Sequence, residues 1–263
     1  SGKVHLSVKG KGKSIFKDVK GVSLHQVYGP HPAGNVGVQI GKISPINAGE
    51  RVWTVTPQDV ATIGELFLTG KFNATRTVAL VGSEVKDAQY YNVISGAAIT
   101  DLVVGKIEGD NVRVISGDVL TGTKVKMDGN LGFLSNTVTV IPEGNVYRMF
   151  GWMPFASPSV HSASRTGLSW LMPGKKYAPN TNLNGEERAL VVTGEMEAVM
   201  PLDIFPMQLL KACLASDIDK MESLGIYEVA PEDFALIDYT NTSKLEAQQI
   251  IREALDLMIK EVG

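Results

Sequence analysis

A histidine held between two prolines is the densest chemical signal in this 263-residue chain. In Gly29-Pro30-His31-Pro32-Ala33-Gly34 the prolines restrict φ on both sides of the imidazole, and the glycines permit unusual backbone angles or close approach of a ligand. Such a loop presents a hydrogen-bonding ring on a stiff support, although a rigid strand connection with an exposed histidine is the plainer reading. Met149, Phe150, Trp152, Met153 and Phe155, with Trp170 and Met172 beyond, could line an apolar pocket or a partner-facing patch; core packing is the commoner fate of such residues. Asp217, Asp219, Glu222, Glu228, Glu232 and Asp233 lack the spacing of a metal loop and read as a solvated acidic helix face. Cys213 lies on an apolar stripe and reads as a buried thiol; as the one cysteine, it rules out an internal disulfide, a cysteine zinc site and an all-cysteine iron–sulfur cluster held by this chain alone. His5, His25 and His161 have no metal-ligand spacing, and no catalytic triad order, nucleophile elbow, Walker loop or dinucleotide fingerprint occurs.

The elements that must position these residues follow from punctuation and periodicity. Composition is ordinary for a globular protein, with 44% hydrophobic and 20% charged residues, and a net charge of −3 with scattered positive charges gives no footprint for nucleic acid. No apolar stretch approaches the roughly 20 residues of a membrane-spanning helix, and no signal peptide is visible, so a cytoplasmic chain is expected. Ser1-Gly2-Lys3 running directly into strand-like Val4–Val8 reads as a short added lead on a truncated protein. Thr56 as N-cap, Pro57 at the first helical position, the stripe Val60, Ile63, Leu66 and Phe67, and Gly70 as stop predict one helix. Between Arg76 and Val119 the order strand, turn, strand, helix, strand suggests a ubiquitin-like β-grasp module, with strands at 77–81, 90–93 and 111–119 and a helix at 98–104. The stretch 124–192 has a good strand at 137–141 and otherwise reads as irregular β structure with long loops. Helical periods return over 203–214, and a final helix is announced by a Ser243–Glu246 capping box followed by Ala247, Ile250, Ile251, Ala254, Leu255, Met258 and Val262.

Over nearly its whole length the sequence resembles the C-terminal part of the NqrA family, which supplies one of the subunits of Na+-translocating NADH:quinone oxidoreductases. The match is carried by Gly29–Gly34, Val52-Trp53, Gln58-Asp59-Val60, Ile63–Phe67, Phe150-Gly151-Trp152, Val199–Asp203 and Leu257–Glu261. The layout is also similar to RnfC and to the flavin subunit of respiratory complex I. The resemblance implies an α+β multidomain chain: the C-terminal part of a Rossmann-like domain at 1–74, an SLBB β-grasp domain at 75–126, an irregular β region at 127–192, and a helical domain of ferredoxin type at 193–263. Gly117–Gly122 falls where RnfC has a glycine-rich turn.

In those relatives the helical domain holds iron–sulfur clusters, and here the cysteines are absent. A ferredoxin run laid on Pro201 puts its cysteine positions at Leu190, Thr193, Met196 and Met200; a second run falls on Pro231, Phe234, Ile237 and Asn241. The resemblance therefore implies an electron-carrier domain that lost its clusters, with core packing replacing metal ligation. It further implies a peripheral subunit on the cytoplasmic face of the bacterial inner membrane that binds no cofactor itself, with NADH, flavins and an iron–sulfur centre in partner subunits. Ubiquinone is the implied ligand, with His31 hydrogen-bonding a carbonyl oxygen and Phe150, Trp152 or Phe155 stacking on the ring. A pure scaffold without a small-molecule site is the alternative, and an RnfC-like electron-transfer subunit the weaker third reading.

Overall fold

The computed structural model describes residues 2–145, 160–163, 165 and 167–262. The chain folds as two compact units, residues 1–54 together with 189–263, and residues 55–188. The first unit opens with β1 (His5–Lys9) and β2 (Ser23–Val27), paired in parallel as a two-stranded sheet. The Gly29–Gly34 loop then turns tightly, with the Ala33 amide donating to Pro30 O and the Asn35 amide to Pro32 O, and delivers the chain into α1 (Val36–Ile43). This eight-residue helix carries Val36, Ile40 and Ile43 at helical spacing, a signal the sequence reading did not use.

The second unit begins with α2 (Pro57–Thr69), built as its signals predict: Thr56 Oγ1 accepts from the Asp59 amide, Pro57 occupies the first turn, and Gly70 ends the helix at φ 71°. Five strands follow around one short helix: β3 (Thr75–Val81), β4 (Gln89–Ile94), α3 (Ile99–Val103), β5 (Val112–Ser116), β6 (Thr123–Val125) and β7 (Thr137–Pro142). The sheet order is β4-β3-β7-β5-β6, with β3 and β7 parallel and the other pairs antiparallel. Alternation along β3 buries Arg76, Val78 and Leu80, and the latter two pack with Ile99, Leu102, Val103, Val114, Leu131, Val138 and Val140. The strand at 137–141, read from sequence as part of an irregular region, is thus the central strand of the sheet. Its parallel partner β3 lies far away in sequence, and no local pattern signals such a pairing. Gly82 follows β3 in close contact with the neighbouring strand β7: at φ 128°, an added Cβ would meet Val140 O at 1.9 Å.

The chain returns to the first unit through α4 (Pro206–Leu214), α5 (Ile218–Ser223), α6 (Ala235–Thr240) and α7 (Ala247–Glu261). Their core contains Met196, Met207, Leu209, Leu210, Met221, Phe234, Ile237, Ile251 and Met258. Two boundaries differ from the sequence reading. Helix α4 starts at Pro206 instead of residue 203, because proline has no amide to donate and fits the first turn. Helix α7 starts at Ala247, and the Ser243–Glu246 capping box does not form: Ser243 Oγ donates to Ala189 O, and the first-turn amides of Ala247 and Gln248 donate to the Asp238 carboxylate on α6. The cap comes from a neighbouring helix, and burial raises the Asp238 carboxyl above the ordinary carboxylate range.

Candidate functional site

Helix α2 is amphipathic, and it is seated by its polar side. Strand β7 reaches β3 only from Ala79 onward, so the Thr77 backbone is unpaired on that flank. The Gln58 side-chain amide takes the place of a strand there: Thr77 N donates to Gln58 Oε1 at 2.9 Å and Gln58 Nε2 donates to Thr77 O at 3.0 Å. Beside it the buried Arg76 donates from Nη2 to Asp59 Oδ1 at 2.7 Å and from Nε to Asn136 Oδ1 at 2.6 Å. The bond from Thr56 and then the Arg76 guanidinium hold the Asp59 carboxyl below its usual range. Gln58, Asp59 and Thr62 are the half-buried positions of the helix, whereas Val60, Ile63 and Leu66 are exposed and Phe67 and Leu68 are 86% and 89% exposed. The apolar stripe read from the sequence is present and faces water.

In the helical region most of the expected cluster positions are filled with core. Met196, Phe234 and Ile237 are fully buried in one cluster, with Leu190 and Met200 packed against it. Asn241 is also buried, donating from Nδ2 to Ile237 O at 2.8 Å, whereas Thr193 is exposed. These side chains offer no thiolate, so the residues present do not fit an iron–sulfur cluster. Cys213 is buried against the same core, and burial pushes its thiol up to about 11, which makes it unreactive. The acidic run does not form one solvated face. Asp217 caps α5 and pairs with Lys220 Nζ at 2.5 Å, while Asp233 is 2% exposed, accepts from the Ala230 amide and packs against Gly37 of α1. Burial raises the Asp233 carboxyl.

The sheet unit carries a shallow cleft of about 400 Å3 lined by Gly82, Asp118, Val119, Thr139, Ile141 and Tyr177, among others. Asp118 is held in its glycine-flanked turn by the Leu120 and Thr121 amides and the Thr121 hydroxyl; these bonds outweigh its burial and keep its carboxyl low. Beyond Tyr177, the chain is tied to the end of β7 by Thr181, which donates to Glu143 Oε1 at 2.9 Å and accepts from the Gly144 amide at 2.7 Å. Glu143 also pairs with Arg113 and Lys124, and the Arg113 bond foremost lowers its carboxyl to about 2. The lining can hold an apolar group, and Asp118, its one carboxylate, stays ionised, so it does not serve as a proton donor near neutrality.

Of the residues singled out from sequence, His31 is exposed on the loop before α1, while Phe150, Trp152 and Phe155, with Met149 and Met153, lie outside the described residues. Sequence reasoning missed the outward sense of the α2 stripe, the Gln58 and Arg76 seat, and the cleft. The buried Arg76 was the available signal, since an arginine at a core-facing strand position requires a partner. Among the described residues no helix is long and apolar enough to cross a membrane, and no group of three His, Cys, Asp or Glu could hold a metal ion.

A mixed α/β chain with, in sequence order, an N-terminal α/β segment, a five-stranded sheet and C-terminal helices is the class the fold defines. Comparison with known proteins narrows it. Residues 1–72 match the family model described as the NqrA second alpha/beta domain, and residues 77–127 match that of the NQRA C-terminal domain, an SLBB domain. Over 260 residues the chain is 36% identical to the NqrA protein of the Na(+)-translocating NADH-quinone reductase of Neisseria meningitidis serogroup B, covering 98% of this chain and 58% of the relative. The corresponding proteins of Serratia proteamaculans and Klebsiella pneumoniae are 38% and 37% identical over 99% of this chain and 58% of their own length. The chain belongs to the NqrA family, and it spans about three fifths of the length of these curated relatives.

Proposed function

We propose that the chain acts as part of a peripheral, cofactor-free subunit of a Na+-translocating NADH:quinone oxidoreductase, on the cytoplasmic face of the bacterial inner membrane. It supports electron transfer from NADH to quinone by docking to the membrane and peripheral subunits, where the flavins and iron–sulfur centre reside. The observation that carries this reading is α2, a helix anchored by hydrogen bonds on its polar side and offering Val60, Ile63, Phe67 and Leu68 outward as a subunit contact. The apolar filling of most of the cysteine positions supports a role without an electron carrier of its own. Phe67→Asp is expected to weaken assembly with the remaining subunits at least tenfold, measured by co-purification of the complex, while leaving the fold of the chain intact. Unchanged assembly would remove α2 as the docking face.

Quinone binding is the second part of the proposal, with His31 donating to a quinone carbonyl and Phe150, Trp152 or Phe155 stacking on the ring. Titration with a short-tail ubiquinone, followed by quenching of Trp53, Trp152 and Trp170, tests it. Saturable quenching that a second quinone competes away, and that His31→Ala weakens, supports the site. Linear quenching favours a pure scaffold.

A further inference from the structure

Two histidines without any chelating spacing in the sequence meet across the β1–β2 ladder. The parallel register sets His5 beside Ser23 and Ser7 beside His25. With a side-chain period of two, these four residues share one face. His5 Nδ1 lies 2.9 Å from His25 Nε2, with ring centroids 5.1 Å apart and planes tilted by 32°. His5 is exposed and His25 half-buried, so the pair is open to solvent.

Two imidazole nitrogens bound to one metal ion at about 2.0–2.1 Å and at right angles to each other stand about 2.9 Å apart. The strand register has thus already brought the nitrogens to the separation that cis coordination requires. At present the two nitrogens point at each other and share a hydrogen. Metal binding re-aims both rings about their side-chain torsions, and the ring that donates the shared hydrogen passes to its other tautomer, losing that proton to water and taking one up at its outer nitrogen, so that both metal-facing nitrogens present lone pairs. Lys9 continues the same face of β1, and no third His, Cys, Asp or Glu joins the pair among the described residues. A purely nitrogen donor set without carboxylate disfavours calcium and magnesium, which take oxygen ligands.

We propose that His5 and His25 form a two-imidazole site for a divalent first-row transition metal, with water completing the coordination shell. Copper(II) is the preferred ion on the general affinity order of these metals. Bound metal links β1 to β2 through side chains in addition to the backbone ladder.

Titration of the full chain with copper(II), read by electron paramagnetic resonance, tests the site. One equivalent is expected to bind with hyperfine splitting from two imidazole nitrogens. His5→Ala and His25→Ala are each expected to lower the affinity at least tenfold and to abolish the two-nitrogen pattern, whereas His161→Ala leaves both unchanged. Equal affinity and an unchanged pattern in either ladder variant would overturn the proposal. A second measurement does not depend on variants: copper(II) at substoichiometric levels should broaden backbone resonances of residues 5–9 and 23–27 first. Broadening centred instead on His31, His161 or the N-terminal amine would overturn it equally.

Discussion

Helices α2 and α7 read alike in the sequence, each with apolar residues at helical spacing, and the structure treats them oppositely. Helix α7 buries Ala247, Ile251, Ala254 and Met258 against the helical core. Helix α2 buries none of its residues and shows Ile63, Leu66, Phe67 and Leu68 to solvent, held by Gln58 and Asp59 on its polar side. Periodicity reveals that a helix has an apolar stripe; it does not reveal whether the same chain supplies the cover. Under the proposed function, the uncovered stripe on this well-capped helix is the surface offered to another chain.

The contrast breaks most severely at the core. Phe234→Ala removes a fully buried ring from the cluster that fills the expected cysteine positions, and should cost about 3–5 kcal/mol in chemical denaturation followed by circular dichroism. A cost below about 1 kcal/mol would mean that packing has not replaced metal ligation there. Arg76→Ala tests the polar seat of α2. It removes the guanidinium bonds to Asp59 and Asn136, leaving Asp59 its Thr56 bond and Asn136 its Gln58 bond, and should cost about 2–3 kcal/mol, with faster amide exchange at the start of α2 before the sheet itself opens.

The Glu143 latch gives a smaller, pH-dependent effect. Its carboxyl lies below its ordinary 4.5 in the folded chain, so its contribution is complete above that value and fades as the pH falls toward about 2. Because the pair with Arg113 is partly exposed, the loss should be about 1 kcal/mol or less, and Glu143→Gln should flatten the acid limb of stability over that window. Leu68→Asp should be the mildest, shifting the stability of the chain by no more than about 0.5 kcal/mol, since the side chain is 89% exposed. A cost comparable to that of Phe234→Ala would show that α2 is covered within the chain, and the contrast between the two helices would fall.

Much of the architecture is legible residue by residue. The α2 boundaries follow from Thr56, Pro57 and Gly70, each acting on its own turn. The strands at 77–81 and 90–93 and the helix at 98–104 lie within a few residues of β3, β4 and α3, because their patterns are local. The buried, inert Cys213 was likewise readable from its place on an apolar stripe. Less legible were groups whose partners are remote: the Asp238 cap of α7, Asp233 against Gly37, and β7 beside β3. Of the residues proposed for quinone binding, His31 lies exposed on its loop, and Phe150, Trp152 and Phe155 lie outside the described residues.

By itself the sequence determined the family, the absence of thiolate ligands for a cluster and the local helix and strand signals, because each depends on residue type and short-range spacing. Tertiary structure alone decided that β7 joins β3, that the α2 stripe faces outward, and that His5 meets His25. Those outcomes depend on which distant backbone groups and side chains find each other, and the free energy of such contacts is set by the whole packed arrangement and not by any local run of residues.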